Sequence, residues 1–149
     1  MRLSAFDLIT CLSEETRERV LVEASQSINP VVREEVAGSV YATSEILARL
    51  ARAEYWGIRL AVAYNDNTSA DVLTLLARDK YWEVRNNVAK KLNTPPEVLA
   101  QLANDTEKRV RRSIARNPET PTEVLVELAK DEDIYIRDCA EEALSMRSK

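Results

Sequence analysis

The chain has 149 residues, 45% hydrophobic and 31% charged, with a net charge of −4, two glycines, five prolines and no histidine. The missing histidine excludes imidazole acid–base chemistry, histidine-dependent catalytic triads and histidine-ligated metals, and the negative balance argues against generic binding to nucleic acid or an anionic membrane. No apolar run is long enough to span a bilayer, and the N-terminus lacks the basic, apolar and cleavage regions of a signal peptide, so neither a membrane segment nor export is expected.

The composition is dominated by Ala, Leu, Val, Glu and Arg, which favours helices throughout. An apolar residue followed by arginine recurs every 26 residues, at Val32-Arg33, Ile58-Arg59, Val84-Arg85, Val110-Arg111 and Ile136-Arg137. The register never slips, so the chain reads as one structural unit copied about five times, with each copy burying its apolar side against its neighbours. The expected fold is all-α, an α-solenoid of 26-residue two-helix repeats with degenerate half-repeats at both ends. The whole of residues 1–149 is expected to form a single repeat domain, with a cap over 1–12, repeats over 13–135 and a C-terminal half-repeat cap over 136–149.

In chain order, residues 1–12 read as an imperfect half unit, because Phe6-Asp7 falls where other copies have apolar-Arg and Thr10-Cys11 where they have Val-Ala. Each later copy has two helical halves. The first opens at Thr16, Thr68, Thr94 or Thr120, with Ala42 the exception. In Thr94-Pro95-Pro96-Glu97 and Thr120-Pro121-Thr122-Glu123 the threonine is expected to cap the helix, the glutamate to reach back to it, and proline to take the first helical position. The stripes Val72, Leu73, Leu76, Ala77, then Val98, Leu99, Leu102, Ala103, then Val124, Leu125, Leu128, Ala129 keep one helix face. First helices are therefore expected at 16–26, 43–53, 69–78, 95–104 and 121–130.

Second helices carry the arginine and end in polar stops, Tyr64-Asn65-Asp66-Asn67, Leu92-Asn93-Thr94-Pro95 and Arg116-Asn117-Pro118-Glu119. They are placed at 29–39, 55–65, 81–92, 107–116 and 133–145, with α and 3₁₀ character both open at their ends. The last half unit carries Glu141 where other copies have Ala63, Ala89 and Ala115, as an outer face meeting water requires. Cys11 and Cys139 lie nearly five repeats apart, too far for a disulfide across stacked layers. Two unpaired thiols fit a reducing cytoplasm.

Residues 117–125, then Leu128-Ala129-Lys130-Asp131, then Ile136-Arg137 closely resemble the leucine-rich repeat variant family. The related HEAT repeats share the spacing of Asp79 to Arg85, Asp105 to Arg111 and Asp131 to Arg137, whereas Ser27 and Ala53 replace that aspartate in the first two units. The resemblance implies a right-handed helical solenoid that binds other macromolecules and carries no single shared activity. Some members place a cysteine-ligated iron–sulfur module ahead of the repeats, which two cysteines cannot supply.

Three features compete for a functional role. The five arginines could form a cationic ladder for an acidic partner, but tying successive units together through Asp79, Asp105 and Asp131, or through loop carbonyls, is the preferred reading. Tyr55-Trp56 and Tyr81-Trp82, at equivalent places beside Arg59 and Arg85, have the residue types of a binding hot spot, set against the reading that they fill gaps between helices. Lys90, Lys91, Lys108, Arg109, Arg112 and Arg116 form a basic band that could meet phosphates, set against an ordinary solvated face. The expectation is a non-enzymatic cytoplasmic scaffold that binds a protein partner through Tyr55, Trp56, Arg59, Tyr81, Trp82 and Arg85, without cofactor, metal or membrane contact. The alternative is a nucleic-acid-binding module using the basic band.

Overall fold

The computed structural model describes residues 9–148, and Phe6-Asp7 of the expected N-terminal half unit lies outside them. Ten helices lie wholly within the described residues, and no strand does: α1 (Glu14–Ala24), α2 (Pro30–Gly38), α3 (Ser44–Leu50), α4 (Trp56–Tyr64), α5 (Ala70–Leu76), α6 (Trp82–Lys90), α7 (Pro96–Leu102), α8 (Lys108–Arg116), α9 (Thr122–Leu128) and α10 (Ile134–Arg147). They alternate as first and second helices of a helical-repeat solenoid. The chain divides into two compact units, Met1–Thr68 and Ser69–Lys149, with the boundary in the loop between α4 and α5.

In the first unit the second helices α2 and α4 pack side by side, with α3 against both. The second unit repeats the plan on a longer row, α6 beside α8 beside α10, with the first helices α7 and α9 packed on it. The second helices start and stop within two residues of the expected ranges and are α-helical. Their ends tighten to i→i−3 bonds, as at Val84 N to Tyr81 O (3.2 Å) and Lys91 N to Val88 O (3.1 Å). From α3 onward the first helices are only seven residues long, followed by a turn, and so shorter than expected.

Helices that short do not persist alone. Burial of Leu73, Leu76, Leu99, Leu102, Leu125 and Leu128 supplies what propensity cannot, each leucine contributing roughly 2 kcal/mol relative to exposure. Beneath them Val84, Val88, Val110, Ile114 and Ile136 bury the inner side of the second-helix row. Val124 and Ala129, the outer members of the last stripe, are only half-buried. Among the described residues no backbone φ is positive, which is why two glycines suffice for so many turns.

The expected threonine caps are corrected. Pro95 and Pro121 are the N-caps of α7 and α9 and make no side-chain cap bond, while Ser13 caps α1 from outside Thr16. Thr68, Thr94 and Thr120 are buried instead, and their hydroxyls donate backwards to the Val62, Val88 and Ile114 carbonyls at 2.6, 2.7 and 2.7 Å. Each threonine thus closes the end of the preceding second helix. The free carbonyls of that last turn take the hydroxyl in preference to the next helix's amides, and they do so whether proline follows, as after Thr94 and Thr120, or serine, as after Thr68.

The arginines tie the repeats together. Arg85 Nη1 donates to the Asp79 and Lys80 carbonyls (2.8 and 3.3 Å), while Nε and Nη2 grip the Asp105 carboxylate of the next repeat (2.6 and 2.8 Å). Arg111 repeats this with the Asp105 carbonyl (2.9 Å) and the Asp131 carboxylate (2.7 and 3.0 Å). The six-residue spacing therefore pairs Arg85, Arg111 and Arg137 with the carbonyls of Asp79, Asp105 and Asp131, while the Asp105 and Asp131 carboxylates serve the arginine one repeat earlier. The same carboxylates accept the Glu107 and Asp133 amides (2.8 and 2.9 Å), fixing the turn into α8 and α10. Burial pushes the Asp105 carboxyl up, but the Arg85 hydrogen bond and the Glu107 amide outweigh it and leave Asp105 below the usual carboxylate range. The Arg111 hydrogen bond likewise holds Asp131 low. Carbonyl recognition is indifferent to side chain, so Arg33 still reaches the Ser27 and Ile28 carbonyls, and Arg59 those of Ala53 and Glu54.

Two buried asparagines, expected only as helix stops, add a second tie. Asn65 Nδ2 donates to Ala37 O and Ser39 O (both 2.8 Å), and Asn117 Nδ2 to Ala89 O and Lys91 O (2.9 and 3.0 Å). These are carbonyls at the end of the preceding second helix, one repeat earlier. At the equivalent place in the last copy stands Ala143, and α10 runs on to Arg147. Arg147 then donates to Thr120 O and Pro118 O (2.7 and 2.6 Å). Glu141 is exposed where Ala63, Ala89 and Ala115 are buried.

Candidate functional site

In the first unit Tyr55 precedes α4 as its N-cap residue and is 45% exposed, with its ring centroid 6.5 Å from that of half-buried Trp56. The tyrosine ring lies over Gly57, where a Cβ would meet Cε1 at 2.7 Å. Arg59 is committed to its two carbonyls. In the second unit Tyr81 holds the same place before α6 and is 36% exposed, with Lys80 Nζ 5.1 Å from its ring centroid. Trp82 is half-buried under the Arg109 guanidinium, 4.7 Å from the ring. Arg85 is occupied by Asp105 and the turn carbonyls, so it serves the frame of the surface.

The basic band divides. Lys90, Arg109, Arg112 and Arg116 line a groove of about 440 Å³ between α6 and α8, floored by Ser113, Asn117 and Pro118. Arg109, Arg112 and Arg116 share one face because they stand three and seven residues apart on one helix. Lys90 joins them from the preceding repeat because it occupies the register of Arg116, 26 residues earlier. Among the described residues none of these four cations has an ion pair. Asn86 holds the edge: its amide nitrogen lies 2.8 Å from Ser113 Oγ and 3.0 Å from the Arg109 carbonyl, and its oxygen 3.2 Å from Lys90 Nζ. Arg112 lies 6.0 Å from the Tyr135 ring on α10.

The other two members of the band face elsewhere. Lys108 pairs with Asp133 at 3.1 Å, a hydrogen bond that lowers the Asp133 carboxyl. Half-buried Lys91 ends α6, and its carbonyl accepts from Asn117. Asn86 and Tyr135 went unread in the sequence, although stepping 26 residues from Arg112 and Arg109 lands on them. A second groove, of about 650 Å³, lies beside α9 and is acidic, with Glu123, Glu127, Asp131 and Glu132 on its walls. The second unit thus carries grooves of both signs. Among the described residues no group of histidine, cysteine, aspartate or glutamate could hold a metal, and no helix is long and apolar enough to cross a membrane.

Removing the Arg109 guanidinium should uncover Trp82. In a Trp56→Phe background, Arg109→Ala is expected to raise acrylamide quenching of the remaining tryptophan clearly above the parent. Unchanged quenching would mean that the ring is shielded by its own helix and not by Arg109.

The stretch that carries one complete set of ties, from Arg109 through Arg111, Asn117 and Thr120 to Asp131 and Asp133, is also the stretch that a known family model recognises. Residues 109–133 match the leucine rich repeat variant model. The match supports that family. A leucine rich repeat variant is a repeat scaffold, and the buried threonine that this chain carries in the matched stretch also occurs at Thr68 and Thr94, the arginine clip at Arg85 and the asparagine at Asn65. The sequence pattern therefore persists outside the matched residues as the same hydrogen bonds. No curated protein matches the chain.

Proposed function

We propose that this leucine rich repeat variant chain is a non-enzymatic scaffold that binds a protein partner through exposed aromatics at the starts of its second helices. Exposed Tyr81 and half-buried Trp82 are the contact residues of the second unit, and exposed Tyr55 and half-buried Trp56 those of the first. The observation that carries the reading is the placement of Tyr55 and Tyr81, both exposed at the N-cap of a helix whose other side is fully packed. An aromatic there offers apolar area and a hydroxyl at little entropic cost on binding. Arg59 and Arg85 support the surface from behind, through bonds to the turns that precede those helices. The family's scaffold character supports the absence of catalysis, and two free thiols, Cys11 and Cys139, support a reducing cytoplasmic setting.

Affinity capture from native cell extract tests this. Tyr55→Ala combined with Tyr81→Ala touches only exposed rings, and is expected to lose the proteins that the parent retains while leaving the helical circular dichroism unchanged. Equal recovery by parent and variant would remove the aromatics from the binding surface.

A further inference from the structure

The groove between α6 and α8 concentrates charge in a way that the packing of the fold does not require. Arg85 and Arg111 are spent on structural carboxylates, whereas Lys90, Arg109, Arg112 and Arg116 converge on one concavity without an acid among its lining residues. Four like charges held together repel one another, and an anion that enters relieves that repulsion. We propose that this groove binds an acidic segment of a partner protein, whose Asp and Glu carboxylates pair with Lys90, Arg109, Arg112 and Arg116. The proposal rests on the scaffold reading and names the chemistry of its partner.

Two observations favour a carboxylate-bearing peptide over a nucleic acid. The volume of about 440 Å³ suits a few side chains, and four cations fall short of the roughly six to ten phosphate contacts of a strongly salt-dependent nucleic-acid binder. The next repeat also reverses sign. Asp138 and Glu142 on α10 stand at the registers of Arg112 and Arg116, both exposed, so a phosphate backbone continuing past the groove would run into them. A short acidic segment ends before that. The planar guanidinium forks, two of them already oriented beside Trp82 and Tyr135, match carboxylates in a bidentate manner.

The test is fluorescence anisotropy on the full chain with three labelled probes: a peptide of Glu-Gly-Ser repeats, its Gln-Gly-Ser counterpart, and an oligothymidine single strand. The parent should bind the glutamate peptide, weaken as salt rises, and leave the glutamine peptide free. Arg112→Glu combined with Arg116→Glu, both at exposed positions, should weaken binding about tenfold or more. Lys90→Gln, a milder change, should weaken it in the same direction if the pair disturbs folding. Equal binding of the glutamine peptide, an unchanged affinity in both variants, or tighter binding of oligothymidine would each overturn the proposal. Partner capture that survives the two reversals but fails with Tyr81→Ala would overturn the groove and leave the scaffold reading standing. Peptide binding that fails with the reversals, alongside capture indifferent to the tyrosines, would do the opposite.

Discussion

Asn117→Ala is expected to lower the unfolding free energy by about 3 kcal/mol, because it strips partners from three backbone groups at once. The residue is 4% exposed, and its side chain donates to Ala89 O and Lys91 O and accepts from the Glu119 amide at 2.9 Å. Alanine leaves the two carbonyls at the end of α6 without their donor and the amide without its acceptor, in a place water reaches poorly. Urea titration should register the loss as a lower midpoint at unchanged slope. Asn117→Asp should be worse at neutral pH, since it keeps the acceptor but aims a negative charge at two carbonyls. Acid should restore part of the loss, because a protonated carboxyl can donate to one of them. Asn117 and Pro118 also floor the basic groove, so the alanine variant should bind the acidic peptide less well even where it remains folded. A stability change under about 0.5 kcal/mol would mean that water replaces the amide, and that the repeats are held by apolar packing alone.

The repeat was legible because an arginine at fixed phase has one structural use per copy, and the fold keeps that use even where Ser27 or Ala53 replaces the aspartate. The second helices were legible for a related reason: Val84, Val88 and Ala89 have only one face to bury, and Asn-Pro or Asn-Thr-Pro ends the run. The threonines were misread because Thr-Pro-x-Glu fits two geometries. Local pattern cannot tell a hydroxyl pointing forward to the next helix's amides from one pointing back to the last helix's carbonyls. Asn65 and Asn117 were read as stops and not as ties, since their partners lie 26 and 28 residues upstream and become neighbours only when repeats stack. The basic band was visible as composition, but composition could not separate Lys108, drawn to Asp133, from Arg112 and Arg116, which no acid claims. Superposing repeats by register would have made that division, because Lys90 and Arg116 share a position and Lys108 shares its position with Trp82.

Arg111→Ala should cost about 3 to 5 kcal/mol, because it leaves a buried carboxylate without its cation. The Asp131 side chain is 7% exposed and that of Arg111 11%, and the pair is bidentate. Arg111→Lys keeps the charge but cannot bond both carboxylate oxygens and the Asp105 carbonyl at once, so it should lie between parent and alanine. Adding Asp131→Asn to the alanine variant should recover part of the loss, since the orphaned charge disappears while an acceptor for the Asp133 amide remains. The pH dependence separates this account from simple loss of packing. Asp131 is held below its unfolded value chiefly by the Arg111 hydrogen bond, so its contribution is fully present above the unfolded carboxylate value, about 3.9. That contribution is lost as the pH falls through the lowered folded value. The gap between parent and Arg111→Ala should therefore be widest near neutrality and close in acid, with residual acid sensitivity left to the intact Arg85–Asp105 pair, whose carboxyl is also held low. Parallel stability profiles from neutral to acid pH would show that Arg111 acts through its aliphatic stem and its carbonyl bond, and that the carboxylate clip contributes nothing to holding one repeat against the next.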